Sequence, residues 1–253
     1  MSTIETQIRN AIGYPAIDRP GQAPGRHSRI ALMLLPLILF AAFAILLALP
    51  ITRDAVRWTL SENRPVEMLT FFTLFFGGVF GLQFSWRLLK TREPMFYVLF
   101  YALFSFGLLL TGLEEIAWGQ QLWGFATPES LKGINMQGET TIHNINGIHG
   151  NTEVFRLLFG LGGLIGIYVS RFRAFAKIAA PVVLFTWFAV ITGHSAIDVF
   201  DDNVSVPKYM EAATSTLAEL VELLIATAGF IYLYVNSKMF SNGPDAVTET
   251  ADQ

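Results

Sequence analysis

Carboxylates are the first residues of this 253-residue chain to require a chemical explanation. Glu114 and Glu115 stand side by side at the end of an apolar run long enough to cross a membrane, where an ionisable group is costly unless it serves a site. Glu219 and Glu222, three apart, and His194 with Asp198, four apart, fall within two later apolar runs. At those spacings each pair shares one helical face. The segment 119–153 adds Gln120, Gln121, Glu139, His143, Asn144, Asn146 and His149. Carboxylates and imidazoles in one place can move protons as general acids and bases, or hold a divalent metal that lowers the pKa of bound water to about 7. The chain has no cysteine, so a metal such as zinc would depend on histidine and carboxylate. The candidate acids and bases are Glu114, Glu115, Asp198, Glu219 and Glu222, and the candidate metal ligands are His143, His149 and His194.

The elements that position these residues follow from composition. With 53% hydrophobic and 15% charged residues and a mean hydropathy of +0.47, the chain is too apolar for a soluble domain. A net charge of −3 and the lack of a basic cluster interleaved with aromatics argue against nucleic acid as a partner. Six apolar runs are each near the length that crosses about 30 Å of hydrocarbon: Ile30–Pro50, Val66–Leu88, Met95–Trp118, Val154–Val169, Ile178–Val199 and Ala212–Val235. The expected architecture is therefore all-α, an integral membrane bundle of about six transmembrane helices over 30–236. It is flanked by a flexible tail over 1–29 and a flexible acidic tail over 237–253. The first run begins too late for a secretory signal and is expected to bend near Pro36. Gly77 with Gly81 and Gly162 with Gly166 place small residues one turn apart, a pattern of close helix packing.

Lysine and arginine set the expected orientation. With the N-terminus inside, 11 of the 17 basic residues lie on the cytoplasmic side and six outside, among them Arg53, Arg57, Arg64 and Arg156. That asymmetry favours both termini in the cytoplasm of a bacterial inner membrane. Trp58, Trp118 and Trp123 then fall near the outer interface and Trp86 near the inner one, as anchoring aromatics do. In this topology the ends of the third and fifth runs, the start of the sixth and the 119–153 loop all meet on the outer side. Thr127 and Pro128 read as the start of a short helix through about Ile134.

Such groups persist in lipid only if they face the bundle interior or water and satisfy one another, so a shared polar cavity is the economical arrangement. Each residue also has a plainer role. Glu114 or Glu115 would snorkel to the interface, Glu219 and Glu222 would bond helices together, and Asp198 would orient His194 without chemistry. No H-E-x-x-H, G-x-S-x-G or phosphate-binding glycine loop is present.

The run Glu114-Glu115-Ile116-Ala117-Trp118-Gly119-Gln120-Gln121, followed by Thr127-Pro128, then Asn135-Met136-Gln137-Gly138-Glu139 and Ile142-His143-Asn144, resembles a group of uncharacterised bacterial multi-pass membrane proteins. That group carries Glu-Glu-x-x-Trp-Gly-Gln before Thr-Pro and Gln-Gly-Glu-x-x-x-His-Asn. The resemblance covers about 30 residues well and implies a shared site without implying an activity. In residue types alone the chain is also similar to the ceramidase-like membrane hydrolases, which bind zinc through histidines and an aspartate. It departs from them where Glu219 and Glu222 stand in place of paired histidines.

Three readings follow. The first is an enzyme, metal-assisted or not, acting on a lipid or lipid-linked substrate from an outer-leaflet pocket. The second is a transporter or proton-coupled carrier using the carboxylates as a relay. The third is a non-catalytic subunit whose partners are other membrane subunits.

Overall fold

The computed structural model describes residues 26–133, 140–141, 152–172, 175–204 and 206–241. Among these the chain is all-α, with α1 (Arg26–Ala48), α2 (Pro50–Thr59), α3 (Pro65–Lys90), α4 (Met95–Glu115), α5 (Gln120–Trp123), α6 (Glu129–Lys132), α7 (Thr152–Val169), α8 (Phe185–Asn203) and α9 (Lys208–Ser241). Six of them, α1, α3, α4, α7, α8 and α9, are long and apolar enough to cross a membrane. The protein is a multi-pass integral membrane protein.

The boundaries depart from the apolar runs where backbone polar groups find partners of their own. Helix α1 starts at Arg26 and α9 reaches Ser241, so helix occupies the inner edges of both expected tails; the rest of those tails lies outside the described residues. The fifth run begins four residues before the first helical turn, because 178–181 are non-helical and a 3-10 turn over Val182–Leu184 leads into α8. Helix α4 stops at Glu115, short of the expected Trp118. At about 1.5 Å per residue, the 34 residues of α9 span roughly 51 Å, more than the hydrocarbon alone needs.

Helix α1 continues through Pro36. Proline removes the N–H that would bond the Leu32 carbonyl, and the Trp187 indole donates to that carbonyl instead, at 2.9 Å. The Thr186 hydroxyl donates to the next carbonyl, Met33. These bonds tie α1 to the start of α8. A second proline, Pro50, opens α2 after a break at Leu49. There Thr52 donates to Leu46 O at 2.5 Å, while Arg53 donates to Leu47 O and Ala48 O, both at 3.2 Å. A guanidinium suits the negative end of α1.

Small residues set the helix pairs. A Cβ on Gly78 would meet Ser105 O at 2.9 Å, and one on Gly81 would strike the Ser105 side chain, so α3 and α4 pack at backbone distance. Gly77 faces Phe230 of α9 instead. On α7 the packing glycines are Gly160 and Gly163, against Thr192 and Phe188 of α8. Of the expected Gly162/Gly166 pair, Gly166 packs against Ala180, where a Cβ would meet the alanine side chain at 3.3 Å, while Gly162 looks into open space. Helix α9 lies at the centre: Leu220, Val221, Leu224, Ala226, Ala228 and Leu233 are all fully buried.

At one end of the bundle, three buried side chains of α4 and α9 hold the connector between α7 and α8. Tyr101 donates to Lys177 O at 2.5 Å, Tyr232 to Ile178 O at 2.7 Å, and Asn236 to Ala179 O at 3.2 Å and to the Tyr101 hydroxyl at 3.0 Å. Irregular backbone inside a membrane protein requires such partners. Between this clasp and the opposite end, Leu74, Leu108, Ile191, Val221 and Leu224 fill the interior.

Substitution at the two neighbouring α7 glycines separates packing from pattern. Gly160→Ala is expected to cost about 1–3 kcal/mol by overpacking, whereas Gly162→Ala leaves stability unchanged or slightly raised. Thermal unfolding of the two variants in detergent checks the contrast; equal losses would contradict this account of the α7/α8 contact.

Candidate functional site

The end of the bundle opposite the clasp gathers acids around one guanidinium. Arg156 enters from the second turn of α7, and its side chain is nine-tenths buried. One terminal nitrogen donates to Asp198 of α8 at 2.6 Å and the other to Glu222 of α9 at 2.7 Å. The planar fork of arginine suits a bridge between two carboxylates better than a point charge does. Its Nε is buried without a partner. Three helices thus meet in one ion triad.

Further carboxylates surround it. Glu115, the last residue of α4, lies within electrostatic reach of Glu222, Glu219, Glu67 and Arg156. Glu219, one turn before Glu222 on α9, feels Glu222, Glu67 and Arg156 in turn. Glu67 sits in the first turn of α3, where a carboxylate complements the positive helix end. It accepts the backbone N–H of Asn63, a left-handed residue of the preceding turn. No described residue donates a hydrogen bond to the carboxylates of Glu115 or Glu219.

Why Glu115 ends its helix is visible in the backbone. Ala117, Trp118 and Gly119 follow at φ of 46°, 56° and 90°, a run of left-handed residues that L-amino acids resist by about 1–2 kcal/mol each. Local contacts hold the turn: the Trp118 indole donates to Glu114, Gly119 N donates to Ile116 O at 2.8 Å, and the Trp123 ring covers the bare Cα of Gly119. Gln120 then fastens the following loop, donating to the Thr127 hydroxyl at 3.0 Å and accepting from Thr140 N and Oγ1, both at 2.8 Å. Thr127 thus ties the loop, and the short helix after it covers Glu129–Lys132; Ile134, the expected end, lies outside the described residues.

Of the residues singled out from the sequence, Glu115, Asp198, Glu219 and Glu222 come together. Glu114 is adjacent in sequence but is engaged by Trp118. His194 stands one turn before Asp198 on α8; its Nε2 meets Thr214 O at 3.1 Å, its ring edge meets Phe40, and its Nδ1 has no partner. His143 and His149 lie outside the described residues. Among the described residues no three His, Asp or Glu side chains converge as a metal would require, and Asp198 is already taken by Arg156.

Sequence reasoning passed over Arg156 and Glu67. Arg156 lies within the fourth apolar run and counts there only as one of the six outer-side basic residues, whereas the structure turns it inward from α7 onto two carboxylates. Glu67 is the third residue of its helix, a common place for an acid, and its type carried no signal of a shared site.

Arg156→Ala leaves Asp198 and Glu222 buried beside each other and is expected to destabilise the protein by about 3–5 kcal/mol. Arg156→Lys restores only part of that, and Asp198→Asn in the Ala background recovers some of the loss. Unfolding midpoints of the three variants check the order; a neutral Arg156→Ala would contradict the triad. Compared with protein-family models, curated proteins and solved structures, the chain matches none.

Proposed function

We propose that the protein is a membrane enzyme that performs acid–base chemistry on a lipid or lipid-linked substrate at its acidic end. That end is the outer-leaflet side if both termini are cytoplasmic, as the distribution of Lys and Arg favours. The supporting observation is a pair of carboxylates without donors. Among the described residues, Glu115 and Glu219 stand near the Arg156 guanidinium, whose two terminal nitrogens are already bonded to Asp198 and Glu222.

Roles divide by hydrogen bonding. Asp198 and Glu222 are held by Arg156 and fix the geometry of the site. Glu115 and Glu219, without donors of their own, are the groups free to accept and return a proton. A positioned general acid or base contributes about 10²–10⁴-fold to a rate. The substrate class is proposed from the reading of the six helices as membrane spans: a site at the end of such spans is within reach of an amphiphile moving sideways in the bilayer. Against a transporter relay, the acids stop at one end, and the buried Leu74, Leu108, Ile191, Val221 and Leu224 lie between them and the tyrosine clasp.

The test is incubation of the purified protein with nanodiscs made from a total bacterial membrane lipid extract, followed by untargeted mass spectrometry of lipids and lipid-linked sugars. A species consumed by the native protein is expected to turn over about 10²-fold or more slowly with Glu115→Gln and Glu219→Gln, both of which keep the native unfolding midpoint within a few degrees. If no species changes with the native protein, or both variants turn it over at the native rate, the enzymatic reading fails.

A further inference from the structure

Helix α2 has two faces. Val56 is buried, with Leu60 just beyond the helix, against Leu47, Val66, Leu217 and Leu220 of the bundle. On the opposite face Ile51 and Trp58, seven apart, are 92% and 52% exposed, and the exposed Ala55 lies between them. That apolar stripe begins one residue after the break that ends the α1 span, which places it at the rim of the membrane. Trp58 carries the Arg64 guanidinium over its ring at 5.0 Å, and the exposed Arg57 is its neighbour in sequence. Over 50–64 three arginines outnumber Asp54 and Glu62, and Arg53 is committed to the α1 carbonyls.

We infer that this face of α2 binds an anionic phospholipid, with the acyl chains along Ile51 and Ala55 and the phosphate between Arg57 and Arg64 beside Trp58. Arg57 and Arg64 are both exposed at the rim, and guanidinium–phosphate bonds are among the stronger charge-assisted contacts. A tryptophan at headgroup depth supplies an amphipathic platform for the glycerol region. An amphipathic helix lying at the interface gains from both buried apolar area and attraction to anionic lipid. The patch also leads directly into the acidic end, because Asn63, just before Arg64, donates its backbone N–H to Glu67, three residues after it.

Full-length protein is delipidated, reconstituted with phosphatidylcholine, phosphatidylglycerol or equal parts of both, and examined by native mass spectrometry for retained lipid. The native protein is expected to retain phosphatidylglycerol over phosphatidylcholine by about tenfold. Arg57→Gln with Arg64→Gln abolishes that preference, and Trp58→Ala weakens retention. Equal retention of the two lipids by the native protein, or an unchanged preference in the double variant, overturns the inference. Glu115→Gln keeps the preference, so a failure here and a failure of the acid–base reading are told apart by different variants.

Discussion

The fold depends on one constraint: a charge inside a bundle surrounded by hydrocarbon must find its counter-charge within the protein. Arg156 meets it by reaching two helices at once, Asp198 on α8 and Glu222 on α9. Helix α7 is the shortest of the spans and is otherwise joined to α8 through glycines, so its register against α9 is set largely by this guanidinium. Replacing such a triad with apolar groups is often neutral in energy. Its presence here therefore argues for geometry: it fixes where the free carboxylates stand relative to the bound ones.

The same accounting governs the backbone. At Pro36, where the helix continues without its N–H bond, at Leu49–Pro50 and over 177–180, a side chain is assigned to the exposed carbonyl. Trp187, Thr52, Tyr101, Tyr232 and Asn236 are thus spent on peptide groups, and the acidic end is distinguished by carboxylates that are not. This contrast separates a packing network from a site better than residue type does, since both ends are polar and both are built into the bundle.

Much of this was legible in the amino-acid sequence. Apolar runs near the length of a bilayer identify the six spans, and alternation of direction brings Glu115, Asp198, Glu219 and Glu222 to one end without any knowledge of packing. What was not legible depended on rotation and on local backbone. A run of small residues shows that a helix packs closely, yet only the rotation of α7 decides that Gly160 and Gly163 face α8 while Gly162 faces away. Arg156 stands near a span end, where a basic residue counts toward orientation and its type says nothing of an inward ion pair. Ala117 and Trp118 are not types that announce a left-handed conformation, and nothing before coordinates suggests that α4 ends three residues early.

That left-handed turn has a consequence for how the chain can vary. An ordinary helix end tolerates length changes in the next loop, because the last turn can fray or wind on. Here Trp118 reaches back to Glu114, and Trp123 closes on Gly119, so Glu114 through Trp123 form a knot of fixed length. An inserted or deleted residue would swing the Glu115 carboxylate by about 100° around its axis or uncouple the two indoles. A change of length within this ten-residue piece would therefore cost more than one in a connection without such ties.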